Sequence, residues 1–309
     1  MADDEHAAAF AAGLEHWAAA LRSLAKGQRA DLSGAAFPGV SARQAPLRGV
    51  DLRRADLSAG ALRDSDLREA RLEDADFSGT ELSFANLGRA EAAGASFADA
   101  KLDGATLWRI AAIGASFARA YLHRVGASGG VFDRADFRGA ILTEAILERA
   151  SLRHANLDDA VLDDAVLRRA DLRGASLRGA RFERTCFEGA RLDRRQLEDA
   201  FQGADLKSAA MTGLELRGAR FDGATLTGVD FSGADLTDAS FVDADLGEAN
   251  LTAAILDGAD MTGAKGVSEP QLAAAASRNG VKTPETMVTP LSHLDRVVDG
   301  NVIRLVPRR

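Results

Sequence analysis

Cysteine is nearly missing: Cys186 is the only one among 309 residues. One thiol excludes an internal disulfide and a cysteine metal cluster, and it matches a reducing compartment. Proline is scarce at 6, which excludes a proline-rich or collagen-like chain although glycine reaches 30. No apolar run is long enough to span a bilayer. The opening stretch MADDEHAAAF is acidic where a secretory leader would be basic. These features predict a cytoplasmic protein that binds no membrane. Histidine offers no metal site either. His6, His16, His123, His154 and His293 never pair at a ligand spacing, and no cofactor motif stands out from the turn glycines.

Basic residues are missing from one long stretch. Between Arg220 and Lys265 there is no Lys, Arg or His, yet nine acids occur there. The net charge of −8 is concentrated in residues 201–267, and a negative surface disfavours direct binding to nucleic acid. With 46% hydrophobic residues, the chain has ample material for a core and is not expected to be disordered.

What is present is a period of five. From position 32 to 197, every fifth residue is Leu or Phe except Ala42, Ala92, Ala112 and Ala127; Ala stands two residues earlier in 24 of these 34 slots. The frame then slips by one residue and resumes from Phe201 to Met261. A continuous strand would send residues five apart to opposite faces, and a helix would scatter them around its circumference. Each pentapeptide must therefore contain a bend that turns the next large residue inward again. Gly and Ser after the large residue, as in DLSGA and DFSGT, supply turn chemistry. Asp or Asn before it can hydrogen-bond nearby backbone.

Runs such as ANLDD, ADLRG, ADLSA and ADFSG resemble the pentapeptide-repeat family, whose consensus is A(D/N)LXX. The resemblance covers roughly residues 30–265. It implies an all-β, right-handed quadrilateral β-helix with four pentapeptides per coil. Its 47 slots would then make roughly twelve coils and a rod on the order of 55 Å. On twenty-residue coils, Arg53/Arg54 would lie beneath Glu73/Asp74 and Arg138 beneath Asp158/Asp159; Arg178 and then Glu198/Asp199 would follow in that row.

The chain divides into five parts. Residues 1–29 form an amphipathic capping helix, with Phe10, Leu14, Trp17, Leu21 and Leu24 on one face, acids Asp3, Asp4 and Glu5 at its start, Arg22 and Lys26 near its end and Gly27 as a stop. A dimerisation helix is the alternative. Segments 30–192 and 201–265 are solenoid, separated at 193–200 by a short helical excursion with Asp193 and Gln196 at capping spacing. Residues 266–309 hold a helix begun by Ser268 and Gln271 and ending at Asn279-Gly280. The tail, 281–309, contains either a hairpin around Asp299-Gly300 or a loosely docked end.

No catalytic residue is predicted. Asp158-Asp159 and Asp163-Asp164 read as a solvated outer face beside arginines, and Cys186 as a packed, inert thiol. Two surfaces are candidates for partners. In the first, Ala92 and Ala112 leave a thin core. Phe84, Trp108, Arg109, His123 and Arg124, with the glycines of YLHRVGASGG, would surround one edge; exposed aromatics with arginine suit a protein partner. The second is the acidic surface of Asp222, Asp238, Asp243, Glu248 and Asp257. Asp230, Asp235, Asp245 and Asp260 are motif residues there. Some members of the resembled family imitate duplex DNA and bind DNA gyrase, which offers that enzyme as the alternative partner. The many arginines of 31–192 depart from a uniformly acidic rod. The expectation is a non-enzymatic interaction scaffold without cofactor, its partner a protein, with a homodimer left open.

Overall fold

The computed structural model describes residues 4–24, 28–193, 197–198, 200–285, 287, 294–299 and 302–307, the last two stretches by their backbone. Asp3, Lys26, Gly27, Gln196, Asp199, His293 and Gly300, on which parts of the expected ends and frame slip rest, lie outside them.

Within each solenoid segment, the residue at the position before the large inward one makes a parallel bridge to the residue twenty positions on: Asp31 to Asp51, Asp51 to Arg71, Arg71 to Glu91. Four such ladders run together, through Asp31, Ala36, Ser41 and Pro46. A coil of twenty residues therefore has four sides, called I to IV in that order. Between sides the chain turns a corner. Ala35 N–H donates to the Leu32 carbonyl at 3.1 Å, closing a four-residue turn whose third residue, Gly34, has φ 69°. That is the geometry of a type II turn, which favours glycine. Many corners hold Arg, Asp or Glu there instead, as at Arg54 (φ 58°) and Asp64 (φ 60°), each at a cost of about 1–2 kcal/mol.

The motif's Asp or Asn secures the turn that follows it. Asp31, Asp56 and Asp76 each accept from the backbone N–H two residues ahead, at 2.8, 2.9 and 2.8 Å. Inward, the large residues stack rung upon rung. Phe77, Phe97, Phe117 and Phe137 lie nearly parallel with centroids 5.2, 5.0 and 4.9 Å apart, close to the spacing of adjacent strands. Ala92 and Ala112 take the large-residue slot on two successive coils of side I. Both are fully buried, and Phe97 and Phe117, five residues later on the next side, bring bulk to the same coils. YLHRVGASGG is likewise regular coil. A Cβ on Gly130 would meet the Phe132 ring at 2.5 Å, so this inward slot takes glycine where Ala is usual.

Ion pairs mark the twenty-residue spacing: Arg119–Asp99 at 2.6 Å, Arg124–Glu144 at 2.8 Å, Arg178–Asp158 at 2.8 Å, Arg184–Asp164 at 2.6 Å. Arg54 reaches Asp74 at 3.9 Å. Arg53 and Arg138 differ from the expected ladder. Each forks instead onto the carboxylate two residues back, Asp51 and Asp136, at 2.6 and 2.7 Å, because that partner already accepts the backbone N–H of the same arginine. The acidic doublets are not a uniform solvated face either. Asp163 is buried, and accepts from the Arg181 guanidinium and Glu183 N–H.

The frame slip is taken up in one long coil. Arg181 bridges Asp205 and Cys186 bridges Ala210, steps of twenty-four where twenty is the rule. The surplus falls between Leu192 and Phe201, on side II. Leu197 is buried there, and its carbonyl accepts from Arg220 N–H at 2.7 Å.

At the beginning, two helices stand where one was expected: α1 (Asp4–Ala11) and α2 (Leu14–Ser23). Gly13, with φ 107°, breaks the run. Phe10 meets Phe37 edge-on at 5.0 Å, and Trp17 Nε1 donates to the Pro46 carbonyl at 3.1 Å. The pair thus lies over the first coil, whose edge would otherwise be open. At the other end, α3 (Glu269–Ala273) is shorter than predicted. The Gln271 carboxamide donates to the Leu246 and Ala249 carbonyls, and the chain then rejoins the solenoid, Ser277 bridging Ile255 and Lys282 bridging Asp260. Asn279-Gly280 is a corner of that rung and not a helix stop; Gly280 has φ 69°. Beyond it, β1 (Leu294–Asp299) and β2 (Val302–Pro307) form an antiparallel hairpin, with Asp299 opposite Val302.

Replacing Phe117 by Ala removes the middle of the ring stack. It should cost about 3–5 kcal/mol, read as a lower urea midpoint. The last rung has its own signature. Lys282 Nζ donates to Asp260 at 2.7 Å and Thr262 adds two hydrogen bonds. Lys282 foremost, these hold the Asp260 carboxyl down at about 2, from an ordinary 3.8. A depressed carboxylate contributes stability above its ordinary value and loses it as pH falls through the folded one. An NMR titration should therefore place Asp260 near 2, and Lys282→Ala should move it up towards 3.8.

Candidate protein-interaction face

The five residues singled out in the first surface occupy two neighbouring corners, not one edge. Phe84 and Arg124 belong to the column at the corner between sides III and IV, with Gly104 between them and His123 adjacent. Trp108 and Arg109 lie at the next corner, between sides IV and I, because four residues carry the chain from Gly104 across one whole side.

At the first corner Phe84 is 54% exposed. Its ring covers Gly104, where a Cβ would come within 2.7 Å, and the Arg63 guanidinium stands 4.8 Å over it. Two rungs on, Arg124 and His123 converge on Glu144, at 2.8 and 3.9 Å. The Arg124 hydrogen bond holds the Glu144 carboxyl below its ordinary range. At the second corner Trp108, 40% exposed, lies between Arg89 and Arg109 at 4.8 and 4.7 Å. Both aromatics are thus held in fixed orientation by stacked guanidiniums, an arrangement worth about 0.5–1 kcal/mol per pair at exposed sites.

Between these corners lies side IV, and its outward column is what the sequence reading passed over. From Asn86 and Thr106 it continues through Gly126, Ile146, Val166, Cys186 and Ala210 before charge returns at Asp230. Five successive rungs carry no polar amide, hydroxyl or charge, over about 19 Å. Ile146 is 46% exposed, and Val166 and Cys186 are half-buried. Cys186 therefore stands outward on this face instead of being packed. The signal was present in AILER, AVLRR and TCFEG, where Ile, Val and Cys replace the motif's Asp or Asn. Each replacement forgoes a turn-securing hydrogen bond, about 0.5–1.5 kcal/mol net, and exposes apolar surface instead. Side III has a shorter version, Tyr121, Ile141 and Val161, closed by Lys101 and Arg181.

The two corners flanking side IV differ in sign. Between Ser83 and Arg184, the corner before the side has Asp103, Glu144, Asp163, Asp164 and Glu183 against Arg124 and Arg184. The corner after it, from Gly88 to Gly189, has Arg89, Arg109, Arg149, Arg168 and Arg169 against Glu148 and Glu188. An apolar strip thus runs between one net-acidic and one net-basic ridge.

Four of the five acidic candidates flank side II, Asp238 and Asp257 at the corner before it and Asp222 and Asp243 at the corner after it, while Glu248 lies at the corner between sides III and IV. Asp238, Asp243 and Glu248 occupy three successive corners of one coil, each with φ near 58°. Asp222 accepts from Arg220 at 2.8 Å, and Asp257 from Ser277 and from Asn279 N–H. Among the described residues no cluster of three or more His, Cys, Asp or Glu could hold a metal ion, and no helix is long and apolar enough to cross a membrane.

The family model for pentapeptide repeats matches the chain in eight copies, over residues 28–109, 131–194 and 201–265. The chain belongs to the pentapeptide-repeat family, and its solenoid is that family's right-handed β-helix. Residues 110–130, where Tyr121 and Gly126 replace the motif's Asp or Asn, fall between matches. No curated protein matches the sequence. Among solved structures, HetL, a pentapeptide repeat protein involved in heterocyst differentiation regulation from the cyanobacterium Nostoc, is 25% identical; the alignment covers 85% of this chain and 92% of that one, at a TM-score of 0.28. QnrB1, a plasmid-mediated fluoroquinolone resistance protein, is 17% identical over 84% of this chain and 92% of its own, at a TM-score of 0.29. Rfr23 from the cyanobacterium Cyanothece is 21% identical over 53% and 88%, at 0.18.

Proposed function

We propose that the chain is a non-enzymatic, rigid scaffold that docks a protein partner on side IV. One observation carries the reading: a five-rung apolar column stands where the motif would place Asp or Asn, and the oriented aromatics Phe84 and Trp108 adjoin side IV on the Asn86 and Thr106 rungs just before it. Core aliphatics surrounded by aromatics and arginine match the composition of interface centres. The stacked backbone hydrogen bonds keep that surface in one shape, so binding orders little besides side chains. The acids that flank side II, Asp222, Asp238, Asp243 and Asp257, carry the alternative reading, an acidic face for a gyrase partner.

A tagged wild-type chain and its Phe84→Ser, Trp108→Ser variant should be compared as baits in bacterial lysate. The wild type retains a protein that the variant loses, while the variant's thermal midpoint stays within about 2 °C, as expected of surface changes. Gyrase subunits held equally by both baits would transfer binding to the acidic coils.

A further inference from the structure

We propose that the partner seated on side IV is a second copy of this chain, related by a two-fold axis that runs along the rod. The inference rests on the scaffold reading and names its partner.

An isologous pair joins a surface to itself. Two flat sides can face each other about either of two axes in the plane between them. An axis across the rods makes them antiparallel and sets each ridge against its own kind, basic on basic and acidic on acidic. An axis along the rods keeps them parallel and in register, and it sets the corner before side IV of one copy against the corner after side IV of the other. Only the second arrangement matches the charges. Rung by rung it brings the exposed Asp164 opposite the second copy's Arg168 and Arg169, Asp103 opposite Arg109, and the Phe84 ring opposite Arg89. Ile146 meets Ile146 and Val166 meets Val166 on the axis. Like charges directly opposed would cost stability, and along the strip this pairing opposes them chiefly on the Cys186 rung, where Glu183 and Glu188 share the level and Arg184 stands beside them.

The shape agrees. The extra residues of the long coil fall on side II, opposite side IV, so the ladder of Val166, Cys186 and Ala210 passes that coil unbroken. Nothing among the described residues of α1, α2 or α3 lies on the apolar rungs, since these helices pack at the two ends. The strip from Asn86 to Ala210 is about 29 Å long and one side wide. That places the contact at the small end of specific interfaces and predicts a reversible dimer at micromolar concentration whose population falls with added salt.

Light scattering on the full chain should give twice the monomer mass at high concentration, and Ile146→Asp should give the monomer with unchanged circular dichroism. Charge exchange tests the axis. Asp164→Arg alone and Arg169→Asp alone should each lower the dimer fraction, and the double variant should recover it, because the swapped charges meet across the axis. Cys186, the only thiol, supplies a second readout: the two copies place it face to face, so a short-armed bismaleimide should link the wild type into a covalent dimer and leave Ile146→Asp unlinked. A wild type that stays monomeric overturns the proposal. So does a dimer that survives Ile146→Asp, or one that Cys186 cannot link, since its interface lies elsewhere. A monomer whose bait still captures a protein lost by Phe84→Ser, Trp108→Ser leaves the scaffold reading standing; a monomer that captures nothing ends both.

Discussion

The twenty-residue backbone register is the constraint on which everything else depends. Leu32 N–H donates to the Asp51 carbonyl at 2.7 Å and Asp51 N–H to the Ala30 carbonyl at 2.9 Å, and this pattern recurs coil after coil. Once it is set, every side chain lies above the residue twenty earlier. Chemistry then comes in columns: rings stack on rings, Arg119 stands over Asp99, and Val166 over Ile146. The exposed ion pairs are register marks more than sources of stability, for pairs this accessible contribute about 0–1 kcal/mol each. The bulk of the stability comes from the continuous inner stack of Leu, Phe and Ala, buried throughout.

The residue before each Leu or Phe has two possible uses, and they compete. As Asp or Asn it accepts the N–H two residues ahead and secures the corner, as Asp31 and Asp76 do. As an apolar residue it gives up that bond and decorates a side. Positions such as Asp56, Asp136 and Asp230 take the first option as well. Side IV takes the second from Gly126 to Ala210 and side III from Tyr121 to Val161, on consecutive rungs, where a single such replacement would have been an unremarkable exposed aliphatic. Persistence in one column separates a surface from scatter.

Much of the architecture was legible because a period of five with one large inward residue admits few solutions. The frame slip between Leu192 and Phe201 could also be read, and it became the coil of twenty-four residues. What failed to read through depended on competition between nearby partners. Arg53 and Arg138 have a carboxylate two residues back as well as one twenty ahead, and the nearer one, already oriented by a backbone bond, wins. The opening helix was interrupted because Gly13 takes φ 107°, a choice that the 4-3-4-3 spacing does not reveal. The site was half legible. Phe84 and Trp108 announce themselves as outward aromatics, but that they frame one side from its two corners follows only when four sides per coil are counted out. The apolar column was hidden by its spacing, for Ile146, Val166 and Cys186 are twenty residues apart and a pentapeptide frame notices only what departs from the next repeat.

The position of the excursion gives the two halves of the rod a common face. Four extra residues could have been placed on any side. On side IV they would have split the apolar column between Val166 and Ala210, and on side III they would have separated Arg181 from Asp205 in the outward row. They fall on side II, where Arg220 N–H finds the Leu197 carbonyl in place of a regular rung. Opposite, Cys186 continues to Ala210 through an ordinary bridge. A bulge restores inward packing wherever it lies, since only the number of residues matters to the core. Its location matters only to the outside, and the location found here leaves side IV flat across the join between the two segments.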